Sequence, residues 1–177
     1  MRSFAGRDIL SLKEFERAEF EHVYEIDDRL EPIARERRNT DLLAHKTLVT
    51  AFYQPSTRTR LSFEGAMVSM GGQVIGFADP NVSSAKKGES LIDTIQTVMG
   101  YCDVIVMRHT IEGAARRASE VSTVPVINSL TKRSHPCQLM ADVILKNKNV
   151  KKEVMGLRQR FLEMKYCFSG DEFDQLE

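Results

Sequence analysis

Four short runs rich in β-branched and aromatic residues alternate along the chain with segments whose apolar residues recur at helical spacing. The strand-like runs lie at 46–54, 73–78, 103–107 and 124–128. Regular alternation of this kind predicts parallel strands joined by right-handed crossovers, because a helix is the usual connection between parallel neighbours. The predicted fold is therefore α/β, a doubly wound parallel four-stranded sheet with helices on both faces.

Capping patterns and periodicity predict the positions of the helices. Ser11 and Glu14 form a capping-box pattern ahead of a long helix from about 12 to 37, and Ser90 with Asp93 caps another helix. The other predicted helices are a segment from Thr57 to Gly71–Gly72 with Phe63, Ala66, Met67 and Met70 on its buried face, the short segment 111–120, and a last helix from His135–Pro136 to about Lys146.

The size and charge of the chain exclude several classes of protein. Its 177 residues suit one ordinary domain with a hydrophobic core, and 25 Lys plus Arg balance 25 Asp plus Glu. A balanced charge gives no reason to expect nucleic acid or a membrane as a partner. No apolar run reaches the roughly 20 residues that span a bilayer, and the N-terminus is too acidic for a targeting peptide, so we expect a cytoplasmic protein.

The cysteines are scattered along the chain. Cys102, Cys137 and Cys167 have neither CxxC spacing nor a neighbouring cluster of histidines. This pattern predicts reduced thiols that serve packing, with no disulfide framework and no metal site.

The corner after the first predicted strand gathers hydroxyl and guanidinium groups in the sequence "QPSTRTR". A helix that starts near Ser56 presents unpaired backbone N–H groups and a partial positive charge, which suit a phosphate. Ser56, Thr57 and Thr59 add hydroxyl donors, and Arg58 or Arg60 can bind two phosphate oxygens at once. The alternative is a capped surface helix with solvated arginines.

Further polar residues follow the third and fourth predicted strands. Arg108 follows the third strand, while His135 and Gln138 follow the fourth. In a parallel sheet these positions converge on the edge that holds the first corner, where the three side chains can donate to a carbonyl oxygen. Taken singly, Arg108 could be a solvated arginine, His135 a helix-start histidine bonded to backbone, and Gln138 an ordinary surface residue.

A polar loop, "DPNVSSAKKGE", follows the second predicted strand and carries Lys86 and Lys87. Adjacent lysines are often a solvated pair. A loop of this length with two cations is also suited to closing over a phosphate.

Together these segments resemble the aspartate/ornithine carbamoyltransferase family. The resemblance is carried by "FYQPSTRTRLSFEGAM", by the stretch from "GGQVIGFADP" to "CDVIVMRH", and by "EGAARRASE", "VPVIN" and "HPCQ". It implies transfer of a carbamoyl group from carbamoyl phosphate to an amino acid, without a metal or an organic cofactor. It also implies a homotrimer, in which the loop with Ser83 and Lys87 reaches into the site of a neighbouring subunit.

The resemblance assigns roles to single residues. It implies that Ser56, Thr57, Arg58 and Thr59 hold the phosphate of carbamoyl phosphate. It further implies that Arg108, His135 and Gln138 hold the carbamoyl end of the same molecule. Arg108 and His135, helped by Thr59, would polarise the carbonyl group, and Arg58 would act on the leaving phosphate.

The identity of the acceptor depends on the branch of the family. "VINSLTKRSHPCQLMAD" is more similar to the ornithine enzymes, and Cys137 replaces a threonine that the aspartate enzymes carry. "KKGES" and "MRHTIEGAARRASE" are similar to the aspartate branch. We favour aspartate as the acceptor, as in pyrimidine biosynthesis, with ornithine as the alternative.

The resemblance covers about residues 10 to 148, so we interpret 1–150 as a carbamoyl-phosphate-binding domain. Members of the family carry a second domain that binds the amino acid. Residues 151–177 are interpreted as the truncated start of that domain, with "EMKYCFSGD" at 163–171 as its first strand, or as a disordered tail. A further hypothesis is a non-catalytic phosphate-binding or assembly module that lacks the acceptor domain.

Overall fold

The computed structural model describes residues 4–79, 88–131 and Pro136. Four helices and four strands alternate after the N-terminal segment. They are α1 (Arg17–Arg35), β1 (Thr47–Phe52), α2 (Thr57–Ser69), β2 (Gln73–Phe77), α3 (Leu91–Val98), β3 (Val104–Arg108), α4 (Ala114–Ser119) and β4 (Val126–Leu130). The predicted last helix and the predicted strand at 163–171 lie outside the described residues, apart from Pro136, which is helical.

The four strands form one sheet in the order β2-β1-β3-β4. Each neighbouring pair is parallel. Val49 of β1 lies opposite Ile75 on one side and opposite Ile105 on the other, which sets the register at the centre of the sheet. The predicted four-stranded parallel sheet is confirmed.

Helices cover both faces of the sheet, also as predicted. On one face α1 and α2 pack against Leu48, Phe52, Val104 and Val106. On the other face α3 and α4 pack against Val49, Ala51, Ile105 and Met107. Successive residues of a strand point to opposite faces, so a sheet covered on both sides needs apolar residues at nearly every position. That requirement explains why β1 and β3 consist mostly of apolar residues, with Thr50 as the one polar residue inside β1.

The buried face predicted for α2 is confirmed. Phe63, Ala66, Met67 and Met70 have no exposed surface, and all belong to the core on the α1 side. The helix ends at Ser69, and Gly71 follows with a φ of 84°, a left-handed conformation that glycine adopts without strain. The helical spacing of these four residues therefore reflects packing.

The start of α1 differs from the prediction. Ser11 caps only a single turn of 3-10 helix, Leu12–Glu14, where its hydroxyl accepts from the Lys13 amide at 3.3 Å. Phe15 then takes an extended conformation, which interrupts the helix. The helix begins anew at Arg17, where the Glu16 amide donates to the Glu19 carboxylate at 2.7 Å. The predicted helix from about 12 to 37 is therefore wrong at its N-terminal end.

The edge of the sheet at β4 has an addition that the sequence did not predict. Ile9 forms a parallel bridge with Ile127, and its amide donates to the Val126 carbonyl at 2.9 Å. The Asp8 carboxylate accepts from the Val126 amide at 2.8 Å. The N-terminal segment thus pairs with an edge strand that would otherwise leave its hydrogen-bonding groups open. Within the described residues, no helix has both the length and the apolar character needed to cross a membrane.

Candidate functional site at the carboxyl ends of β1 and β3

The connections that leave β1 and β3 go to opposite faces of the sheet. β1 leads to α2, which packs on one face, whereas β3 leads to α4, which packs on the other. Because β1 and β3 are neighbours, the two connections diverge at the carboxyl ends of these strands, and the region between them is here called the crevice. Such a switch point is where open α/β sheets bind their ligands.

Two groups of predicted site residues meet at this crevice. Phe52, the last residue of β1, lies opposite Arg108, the last residue of β3. The Tyr53 amide donates to the Arg108 carbonyl at 2.9 Å, so the corner that contains Ser56 starts directly beside Arg108. The structure thus brings together the two strand ends that carry Ser56–Thr59 and Arg108.

The N-terminus of α2 presents unused polar groups. Ser56 is the N-cap in an extended conformation, yet its hydroxyl forms no hydrogen bond with the first turn of the helix. Thr57 and Arg58 are exposed, whereas Thr59 is only 9% exposed. The first amides of a helix have no partner within the helix, so this end can bind an anion. Of the alternative that the sequence left open, the side-chain cap is absent, whereas Arg58 is exposed as that alternative expects.

The two arginines of the corner differ in their partners. Arg60 is paired, since its Nε lies 2.6 Å from Oε1 of Glu64. The same carboxylate oxygen accepts from the Thr50 hydroxyl at 3.0 Å, which ties this turn of α2 to β1. Arg58 has no side-chain partner among the residues that the structure describes. Arg58 is therefore the arginine of this corner that is available to a ligand.

Arg108 is half-buried at the end of β3 without an acid beside it. Its Nε is buried and has no acceptor among the described residues. Burial lowers the pKa of Arg108, but a guanidinium remains cationic at neutral pH. A half-buried cation whose donor lacks an acceptor is costly, and an anionic or carbonyl ligand in the crevice would remove that cost.

A bulge shapes the β3–β4 side of the crevice. Met107 lies opposite Asn128 but Arg108 lies opposite Leu130, so Ser129 is an extra residue in β4. The Ser129 hydroxyl donates to the Met107 carbonyl at 2.9 Å, so this carbonyl has a hydrogen-bond partner where the pairing of β3 with β4 is irregular. Bulges redirect side chains at the ends of strands. Sequence reasoning missed this feature, which has no distinct signal in "VINSL".

Two aromatic residues beside the crevice were also missed. His109 is 9% exposed, and its ring centroid lies 4.6 Å from that of Tyr53. Its Nδ1 accepts from the Ile111 amide at 3.0 Å. Burial lowers the pKa of His109, so the imidazole is neutral near pH 7. Tyr53 and His109 each directly follow a strand that carries site residues, and this position is the signal that could have identified them.

The remaining predicted site residues lie outside the described residues. They are His135 and Gln138, which follow β4, and Ser83 and Lys87 of the loop after β2. Lys86 and Cys137 lie outside as well. In the part of the chain that the structure describes, no group of three or more His, Cys, Asp or Glu residues could hold a metal ion.

The family described as "Aspartate/ornithine carbamoyltransferase, carbamoyl-P binding domain" matches residues 7–147. The chain belongs to this family. The match agrees with the described structure, since it includes all four strands and the crevice between β1 and β3.

Relatives and solved structures place the chain within the family. It is 50% identical over 139 residues to the aspartate carbamoyltransferase catalytic subunit of Thermococcus gammatolerans, covering 78% of this chain and 45% of that protein. The Methanopyrus kandleri catalytic subunit is 46% identical over 170 residues, covering 94% of this chain and 54% of that protein. The chain thus spans about half the length of the curated relatives it matches.

Two solved structures show the same fold. The catalytic subunit of M. jannaschii aspartate transcarbamoylase matches with a TM-score of 0.72 and 44% identity, over 81% of this chain and 48% of that one. Aspartate transcarbamoylase from Trypanosoma cruzi, in complex with carbamoyl aspartate and phosphate, matches with a TM-score of 0.76 and 31% identity, over 82% and 47%. All four of these relatives are named as aspartate enzymes.

Proposed function

We propose that this chain supplies the carbamoyl-phosphate-binding half of an aspartate carbamoyltransferase. The observation that carries the proposal is the meeting of the α2 N-terminus with Arg108 at the switch point between β1 and β3. The names of the relatives support aspartate as the acceptor. A cytoplasmic location belongs to the same proposal, since Cys102 is a free thiol and the other cysteines lack disulfide spacing.

The phosphate of carbamoyl phosphate would bind at the N-terminus of α2. The amides of the first turn and the hydroxyls of Ser56 and Thr57 can donate to its oxygens. Arg58 adds a guanidinium that no described carboxylate neutralises, so it can pair with the dianion in a bidentate manner. This end of the site therefore binds the leaving group.

The carbamoyl group would lie between Thr59 and Arg108. When the amine of aspartate attacks the carbamoyl carbon, negative charge develops on the carbonyl oxygen. The C–O bond to phosphate then breaks, the phosphate takes the bonding electrons, and the attacking nitrogen loses a proton. Arg108 and Thr59, with His135 and Gln138, are the donors assigned to that oxygen. Fixed donors favour this charge in the transition state more than in the substrate.

A homotrimer is part of the proposal. Leu61, Val68 and Ile75 are exposed large apolar residues on α2 and β2, with exposed fractions of 59%, 60% and 46%. They line a shallow concavity of about 520 Å³ beside the edge strand β2. Exposed apolar surface at a sheet edge is typical of a protein–protein contact. The loop with Ser83 and Lys87 begins just after β2, so a neighbour docked here could receive it.

Isothermal titration calorimetry with carbamoyl phosphate and with inorganic phosphate tests the binding site. We expect both to bind to one site per chain, with affinity falling as salt is added because the contacts are ionic. Absence of binding by both ligands would reject the proposal. Light scattering on the same sample should give three times the mass of the chain if the trimer is correct, and a monomer would reject that part.

Product analysis tests the acceptor. Carbamoyl phosphate is supplied together with aspartate or with ornithine, and the carbamoylated amino acid is measured. Because the proposal gives this chain only the carbamoyl-phosphate half, we expect weak or absent turnover by the chain alone, and any product should be carbamoyl aspartate. Carbamoyl ornithine as the product would contradict the aspartate branch, and robust turnover by the chain alone would contradict the assignment of only half of the site to it.

A further inference from the structure

A row of aromatic rings crosses the sheet just beneath the crevice. Phe77 ends β2, Tyr53 follows β1, and His109 follows β3. The Tyr53 ring meets the Phe77 ring edge-on with 5.1 Å between centroids, and meets the His109 ring at 4.6 Å. The row therefore connects the carboxyl ends of three adjacent strands.

Tyr53 and His109 belong to the two opposite sides of the crevice. Tyr53 starts the corner that leads to Ser56 and α2, whereas His109 starts the turn that leads from Arg108 to α4. Their contact thus sets how far the α2 N-terminus lies from the residues next to Arg108. Aromatic pairs at this separation have preferred geometries, so the spacing is defined.

Arg108 itself has few restraints on its direction. Its guanidinium Nε has no acceptor among the described residues, so the backbone on either side must orient it. The Arg108 carbonyl accepts from the Tyr53 amide at 2.9 Å, and the His109 amide donates to the Leu130 carbonyl at 2.9 Å. His109, the residue after Arg108, is therefore hydrogen-bonded to the end of β4.

The His109 side chain completes this restraint. Its Nδ1 accepts from the Ile111 amide, two residues further along, at 3.0 Å. The bond closes the turn over the ring and keeps the ring against Tyr53. With Nδ1 as the acceptor, the neutral imidazole carries its proton on Nε2.

We propose that His109 is a positioning residue, which holds Arg108 at a set distance from the α2 N-terminus through the Tyr53 ring and the Ile111 amide. The inference rests on the proposed function, in which Arg108 binds the carbamoyl end and α2 binds the phosphate. Disturbing His109 therefore weakens contacts with the carbamoyl group while it leaves the phosphate contacts in place.

The test compares two ligands in the full 177-residue chain. His109→Phe keeps a ring against Tyr53 but cannot accept from the Ile111 amide. We expect its affinity for carbamoyl phosphate to fall about tenfold, and its affinity for inorganic phosphate by less than about twofold. His109→Asn provides an oxygen that can accept from the amide two residues on, as in an Asx turn, but has no ring to contact Tyr53, so it should recover only part of the loss.

Controls separate positioning from stability. His22→Asn, a histidine substitution on α1 beside Phe4, should leave both affinities unchanged. Circular dichroism and thermal unfolding check the fold of each variant, and His109→Ala serves as a second variant because it cannot clash. An equal loss for both ligands, or unchanged affinities, would overturn the role of His109 alone. If the unsubstituted chain bound neither ligand, the proposed function would fall with it.

Discussion

Arginines in two regions of the molecule differ in how their charge is balanced. Near the N-terminus, Arg7 lies 2.5 Å from the buried Glu19 carboxylate, donates to the Glu14 carbonyl at 2.7 Å, and stacks over Phe4 and Phe15. At the crevice, Arg58 and Arg108 have no carboxylate partner among the described residues. The first arginine stabilises the fold, whereas the other two are available to a ligand.

The contrast indicates how a structural cation differs from a binding cation. A guanidinium with an internal counter-charge gains little from an external anion, because its donors are already occupied. A guanidinium at a strand end that has no internal counter-charge keeps its donors and its electrostatic field available to a ligand. Arg60 shows that the difference depends on the environment, since it lies two residues from Arg58 but is paired with Glu64.

Removal of Arg58 should have the largest effect. In Arg58→Ala we expect affinity for inorganic phosphate to fall by about a hundredfold or more, because charge-assisted bonds to the anion are lost. The thermal midpoint should not change, since the buried face of α2 is untouched. Calorimetry and thermal unfolding measure the two quantities. Unchanged affinity would show that Arg58 does not bind the ligand, and the difference proposed between Arg58 and Arg7 would then be wrong.

Removal of Arg7 should instead lower the stability of the fold. Arg7→Ala leaves Glu19, which is 3% exposed, without its guanidinium, and we expect a loss of about 2 kcal/mol in the free energy of unfolding. Urea denaturation measures the loss. The matched control is Arg17→Ala, because the Arg17–Glu21 pair is exposed and should contribute about 0.5 kcal/mol or less. Equal losses in the two variants would contradict the assignment of a special role to Arg7.

Arg60→Ala tests the contrast within one helical turn. Glu64 keeps its hydrogen bond from Thr50 in this variant, so we expect a loss of about 1 kcal/mol or less in the free energy of unfolding. Affinity for phosphate should change by less than about threefold, because Arg60 does not serve the ligand. A loss of affinity as large as that of Arg58→Ala would show that both arginines bind the anion.

The smallest expected effect is a dependence of stability on pH. Burial lowers the pKa of His109 below its ordinary value of 6.5, so the unfolded chain takes up the proton first as the pH falls. The contribution of His109 to stability is complete above that value and is lost as the pH drops through the lower pKa of the folded state. Denaturation at several pH values should show a shallower decline in His109→Asn than in the unsubstituted chain. An identical decline would contradict the predicted shift.

The order of strands and helices could be predicted because the pattern is local. Each strand lies in a run rich in β-branched and apolar residues, and α2 presents Phe63, Ala66, Met67 and Met70 at helical spacing. The ends of the strands were predicted less accurately. The fourth strand was predicted at 124–128 but occupies Val126–Leu130. Pro125 has no amide to donate, so the strand begins after it, although its carbonyl accepts from Ile105 at 2.9 Å. The residue at which a strand begins therefore depends on the strand that pairs with it.

The candidate site was predicted only in part. Ser56, Thr57, Arg58, Thr59 and Arg108 were identified because they follow strands, and the structure places both groups at one crevice. Tyr53, His109 and the bulge at Ser129 were not identified. Their significance comes from contacts between segments far apart in the chain, which periodicity cannot reveal.

By itself, the sequence determined the alternation of strands and helices, the parallel sheet covered on both faces, and the polar residues placed after the strands. These properties follow from side-chain periodicity and from local capping, which act over a few residues. Only the tertiary structure decided the order β2-β1-β3-β4, the pairing of Ile9 with Ile127, and the partners of Arg7, Arg60 and Glu64. Strand order and ion pairing depend on which distant segments pack together, so the arginines left for a ligand are known only from the fold.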